Sequence, residues 1–125
     1  MPPKPQGFVQ INGKTYEAAV FARDLHERRG VQFTFSDGTD SAIFLNNGTV
    51  YAVANICPHQ HSSSISDGMI QDGCVICPLH GWAFSLDTGK CTDSNAALAT
   101  YDVREINGII YVETPPDYQP AWMKW

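Results

Sequence analysis

Three turn signals divide the chain more sharply than any other feature. Asn46-Asn47-Gly48, Gln71-Asp72-Gly73 and Ile106-Asn107-Gly108 each sit between two runs rich in β-branched and aromatic residues. An Asn-Gly or Asp-Gly pair accepts positive φ at little cost, so it joins neighbouring strands into an antiparallel hairpin. The flanking runs are Ala42–Leu45 with Thr49–Val53, Met69–Ile70 with Cys74–Ile76, and Ala99–Arg104 with Ile109–Glu113. Two more strands are expected at Val31–Phe35, ahead of Ser36-Asp37-Gly38, and at Trp82–Leu86, ahead of Asp87-Thr88-Gly89. Turn signals at roughly 8–12-residue spacing predict an all-β antiparallel sandwich or small barrel. Only Ala18–Arg28 reads as helical, with Ala22–Leu25 as one short turn.

Composition supports a core and narrows the function classes. The 125 residues fit one domain, and 43% of them are hydrophobic. Charged residues make up only 17%, against about 25% in a typical domain, which excludes a disordered chain, a coiled coil or a collagen-like fibre. The net charge of −5 offers no attraction to a phosphate backbone, so nucleic-acid binding is disfavoured. No apolar run approaches the roughly 20 residues of a membrane span. The opening residues have no hydrophobic segment after Lys4, unlike a secretory signal. Four cysteines are too few for a disulfide scaffold, so the expected compartment is cytoplasmic, where paired Cys and His read first as metal ligands. Residues 1–6 are expected to be a flexible N-terminal tail. Residues 115–125 form a Pro/aromatic tail whose Tyr118, Trp122 and Trp125 call for packing on the domain or on a partner. The domain itself is placed at 7–114.

Residues 54–68 break the strand rhythm and read as a loop, the usual location of a site held on a rigid sheet. This stretch contains Cys57-Pro58-His59, and residues 60–76 separate it from Cys77-Pro78-Leu79-His80. Two thiolates and two imidazoles thus arrive from two loops joined by a hairpin, a set that can close around a metal. A zinc site normally spaces paired ligands two to four residues apart. The single residue between Cys57 and His59 is tight for that and suits ligands aimed at different irons of a binuclear cluster. Zinc remains the rival occupant of the same four residues.

Cys57-Pro-His59 and Cys77-Pro-Leu-His80-Gly81-Trp-Ala-Phe84, followed by Asp87-Thr-Gly89, resemble the Rieske iron–sulfur family. The similarity runs from about Phe8 to Glu113, in the soluble, low-potential branch close to nitrite reductase small subunits. It implies a Rieske-type antiparallel β-sandwich with a two-loop cluster-binding subdomain and one [2Fe–2S] cluster per chain. Cys57 and Cys77 would bind one iron, and His59 and His80 the other. Replacing two thiolates by neutral imidazoles raises the potential to between about −150 and +300 mV, compared with about −400 mV for an all-Cys cluster.

Departures from the respiratory members of that family set a narrower expectation. Their inter-loop disulfide would fall at Ser62 and Leu79, so it is absent here. Their Ser and Tyr hydroxyls, which hydrogen-bond cluster and ligand sulfur, are replaced by Trp82 and Phe84. Losing those bonds lowers the potential, towards about −150 mV. From Gly30 to Gly89 there is no Lys or Arg, but there are Asp37, Asp40, Asp67, Asp72 and Asp87. An acidic field of this kind disfavours an added electron and attracts a basic partner.

The other candidates take plainer readings. His61 is expected to be an exposed loop histidine and His26 a surface residue. Cys74 and Cys91 are read as small buried hydrophobes, with a disulfide between them as the alternative. Gly81 allows close backbone approach to a cluster, or is simply a turn glycine. His26 and His61 cannot build a 2-His-1-carboxylate iron triad, and no dinucleotide fingerprint is present. The chain therefore reads as an electron-transfer component more than an enzyme on its own, carrying one electron from a reductase to an oxygenase or reductase with a basic docking surface. The alternatives are the small Rieske subunit of an assimilatory NAD(P)H nitrite reductase and a zinc-stabilised interaction module.

Overall fold

The computed structural model describes residues 5–56, 65–78, 81–91 and 96–115. Among these described residues eleven strands occur in chain order: β1 Phe8–Ile11, β2 Lys14–Phe21, β3 Gly30–Thr34, β4 Asp40–Asn46, β5 Thr49–Ala54, β6 Met69–Gln71, β7 Cys74–Ile76, β8 Ala83–Ser85, β9 Thr100–Tyr101, β10 Val103–Ile106 and β11 Ile109–Glu113. The expected hairpins all form. Asn47-Gly48, Asp72-Gly73 and Asn107-Gly108 each place two successive residues at positive φ, the geometry a tight two-residue hairpin needs. A fourth such turn, Asn12-Gly13, links β1 to β2. The run expected at Ala99–Arg104 is broken at Asp102 into β9 and β10, which belong to different sheets.

One element differs from expectation. Ala18–Phe21 continues β2, and only Ala22–Asp24 takes a helical turn, of the 3₁₀ type. β2 lies between β1 and β11, and pairing on both sides outweighs alanine's helix preference. The antiparallel sandwich expected from the turns is otherwise what the chain adopts.

The strands form three antiparallel sheets, ordered β1-β2-β11-β10, β3-β4-β5-β9 and β6-β7-β8. The second sheet is covered on both faces. Ile43, Ala52 and Phe35 pack with Ala19, Val20, Ile110 and Val112 from the first sheet. On its other face, Ala42, Phe44 and Val53 pack with Ile70, Val75 and Phe84 from the third. This explains the unbroken apolar run Ala42-Ile43-Phe44, all fully buried, since a strand covered twice loses the in-out alternation. The small third sheet is thereby anchored to a rigid layer.

A polar pair, the buried Tyr16 and the exposed Asp102, ties β2 to the end of the first sheet. The Tyr16 hydroxyl donates to Asp102 at 2.7 Å, and Arg104 lies 3.0 Å from the same carboxylate. The Tyr16 bond holds the Asp102 carboxyl below the usual carboxylate range, with Arg104 assisting, while the same bond and burial push the Tyr16 phenol up. A depressed carboxyl stabilises the fold above its unfolded pKa and loses that contribution as pH falls through the folded one. A raised phenol stabilises below its unfolded pKa, near 10, and loses that contribution as pH rises. Because the Asp102 side chain is 43% exposed, water screens the pair, and Tyr16→Phe is expected to cost about 0.5–1.5 kcal/mol at neutral pH, with the difference from wild type shrinking at acid pH. Urea titrations at pH 7 and pH 3 check this, and an equal difference at both would contradict it.

Candidate metal centre

Only Cys77 of the four expected ligands lies among the described residues; Cys57, His59 and His80, together with His61, Ser62 and Leu79, lie outside them. Cys77 follows β7 directly and is completely buried, with a free thiol. Its backbone N–H donates to the Trp82 carbonyl at 2.8 Å, and its carbonyl accepts the Gly81 N–H at 2.9 Å. The chain after Cys77 thus turns within a few residues and returns as β8, with Gly81 at φ +72° in the left-handed region.

The other candidate loop is closed at its root. The Ile65 N–H donates to the Asn55 carbonyl at 3.1 Å, so the segment containing Cys57 and His59 leaves and returns at one point. A 3₁₀ turn, Ile65–Asp67, follows. Gly68 then lies so close to β7 that an added Cβ would stand 2.5 Å from the Ile76 carbonyl oxygen. Ile76 precedes Cys77, and Ile65 and Cys77 share one core cluster. The roots of both loops therefore converge at the end of β7. A buried thiol and the converging roots of loops carrying a second Cys and two His fit a soft, sulfur-bridged metal centre.

The surroundings are apolar. Phe84 is fully buried in the cluster that contains Cys77, and Trp82 packs against it, with ring centroids 6.5 Å apart and tilted by 54°. Neither side chain offers a hydroxyl. Cys91 belongs to the same core, and Cys74 is half-buried with a free thiol, so no Cys74–Cys91 disulfide forms. His26 is exposed.

The five aspartates do different jobs. Asp67, Asp72 and Asp87 are exposed, whereas Asp37 is buried and accepts the Thr39 N–H at 2.8 Å. Asp40 accepts from Gln32 and from Asn55. The base-free run in the sequence is not base-free in space, because the Arg28 guanidinium donates to the Ile70 carbonyl at 2.7 Å. Arg28 and Asn55 are the contributors that sequence reasoning missed. A polar Asn two residues ahead of the expected ligand Cys57, in a stretch without strand periodicity, was the available signal for the second, because Asn readily hydrogen-bonds nearby backbone.

Antiparallel layers with two candidate ligand loops whose roots converge at the end of β7 define a β-sandwich with one candidate metal-binding end. Residues 15–113 match the model of the Rieske-like [2Fe-2S] domain, and the chain belongs to that family. The family's cofactor, and this chain's, is one Rieske [2Fe–2S] cluster. A cholesterol 7-desaturase (nvd) of Hemicentrotus pulcherrimus is 30% identical, over 94% of this chain and 26% of its own length. The ferredoxin subunit of a 3-phenylpropionate/cinnamic acid dioxygenase from Shigella flexneri is 36% identical, over 59% of this chain and 72% of its own. A Mycobacterium tuberculosis crystal structure assigned as an NADH-dependent nitrite reductase small subunit superposes with a TM-score of 0.73 at 28% identity, covering 89% of this chain and 97% of the other. The chain spans about a quarter or less of the cholesterol 7-desaturases it matches. Among the described residues no helix is long and apolar enough to cross a membrane.

Proposed function

We propose that this chain is a one-electron carrier that takes an electron from a reductase and passes it to a redox enzyme. The observation that carries this reading is the buried thiol of Cys77 at the convergence of two loop roots, in a chain of the Rieske-like family. When bound, the cluster supplies a centre that gains and releases a single electron. Cys57 and Cys77 would hold one iron, and His59 and His80 the other. Phe84 and Trp82 keep water from the sulfur side and provide no hydroxyl, which places the potential near about −150 mV. The folded unit runs from residue 7 to 114, supported by strands that begin at Phe8 and end at Glu113. The free Cys74 thiol supports a reducing compartment, the cytoplasm.

The exposed Asp67, Asp72 and Asp87 favour a partner with a basic docking surface. Ferredoxin subunits of ring dioxygenases, such as the Shigella relative, are the first context. The likeness to the nitrite reductase small subunit structure, which spans nearly all of that chain, favours that role as a second reading. The test uses protein reduced anaerobically with dithionite and offered to cytochrome c, a basic haem protein. One electron per chain is expected to transfer, with a rate that falls as ionic strength rises. No transfer would contradict the carrier role, and a rate indifferent to salt would contradict the basic docking surface.

A further inference from the structure

We propose that Asn55 is a positioning residue of the metal centre, closing the loop that bears Cys57 and His59 onto the turn packed against β7, and so setting where those ligands stand relative to Cys77. This rests on the ligand assignment above. Asn55 is completely buried, and each of its four polar groups has a partner. Its backbone N–H donates to the Asp40 carbonyl at 3.2 Å, and its carbonyl accepts the Ile65 N–H at 3.1 Å. Its side-chain oxygen accepts the Ser66 N–H at 2.6 Å, and its side-chain amide donates to the Asp40 carboxylate at 3.2 Å.

The contacts form a continuous path from the rigid middle sheet to a ligand. Asp40 opens β4 and also accepts from Gln32 on β3 at 2.9 Å. Asn55 joins Asp40 to Ser66. Ser66 is backed by Gly30, where an added Cβ would collide with the Ser66 carbonyl oxygen. Two residues on, Gly68 abuts Ile76, and Cys77 follows. Asparagine is required because one end must accept an N–H while the other donates to a carboxylate. Leucine has a similar shape but leaves the Ser66 N–H and an Asp40 oxygen without these partners. Aspartate still accepts from Ser66, but it turns a second carboxylate oxygen towards that of Asp40.

The donor and acceptor can be exchanged, which gives a rescue. In the double variant Asp40→Asn/Asn55→Asp the amide at 40 donates to the carboxylate at 55, while the Ser66 N–H keeps its acceptor. Wild type, Asn55→Leu, Asn55→Asp, the double variant and Tyr16→Phe would be reconstituted anaerobically with iron and sulfide. Electron paramagnetic g-values, the rate of loss of visible absorbance and urea stability would be recorded. Asn55→Leu and Asn55→Asp are expected to release the cluster about 10–100-fold faster, the range for residues that orient metal ligands, and with shifted g-values. The double variant is expected to return both readouts towards wild type. Tyr16→Phe, a destabilising control in the first sheet, should keep wild-type g-values. Unchanged g-values in both single variants, or a failure of the double variant to recover them, would overturn the proposal while leaving the ligand assignment standing. If Asn55→Leu does not fold, the Asn55→Asp and double-variant pair decides. A wild type that takes up no iron would overturn the ligand assignment, and this proposal with it.

Discussion

Replacing His59 or His80 by alanine is expected to abolish cluster binding, and His61→Ala is expected to leave it intact. In the proposed assignment each of these histidines would supply one of two neutral donors on a single iron, so its removal would leave that iron a ligand short, with nothing of similar basicity in its place. Cys77→Ser should have the same outcome for a different reason. Cys77 is completely buried at the end of β7, and a serine hydroxyl there is a hard, poor iron ligand. Iron and acid-labile sulfide assays on anaerobically purified variants make the comparison. The expected loss is from two irons per chain to none for the ligand variants, with wild-type content for His61→Ala. A His61→Ala variant without iron, beside a His59→Ala variant with iron, would reverse the assignment of the first loop.

The second large effect concerns stability. Phe84→Ala is expected to cost about 3–5 kcal/mol, a large share of the roughly 5–15 kcal/mol that holds a typical domain folded. Phe84 is fully buried, pairs with Val75 across β7 and β8, and packs in the cluster that joins the third sheet to Ala42, Phe44 and Val53. Its loss opens a cavity in the only apolar contact layer described between those sheets, beside Cys77. Urea unfolding of the apo-protein should show a lower midpoint with an unchanged slope, which would mark a loss of stability rather than a change in the surface exposed. A shift below about 1 kcal/mol would mean that the third sheet collapses to fill the gap.

How far the residues alone predicted this molecule follows from what each signal measures. Asn47-Gly48, Asp72-Gly73 and Asn107-Gly108 gave correct hairpins because a positive-φ pair is a local property. The Asn12-Gly13 turn carries the same signal, but its first strand, Phe8–Ile11, is only four residues long and has no fully buried residue, so its hydrophobic pattern is weak. Ala18–Phe21 read as helical because alanine's preference is local, whereas its strand state comes from neighbours β1 and β11. The break at Asp102 depends on which sheet each half joins, something no short window contains. At the candidate metal centre, where only Cys77 of the four expected ligands lies among the described residues, ligand types and spacing are read from the chain alone, because metal chemistry restricts them strongly. The Asn55 clamp was not, because its partners Asp40 and Ser66 are distant in sequence and meet only once the sheets are packed. The aspartate run misled for the same reason. Asp37 and Asp40 turn inward to hold turns and strands, and Arg28 enters from outside the run.

The proposed centre is an asymmetrically held [2Fe–2S] cluster of low potential. An anaerobic redox titration followed by visible and electron paramagnetic spectroscopy tests it most directly. The predicted result is a single one-electron transition near about −150 mV, with a rhombic reduced-state signal from protein containing two irons and two sulfides per chain. Colourless protein holding zinc, or a transition above about +100 mV, would contradict it.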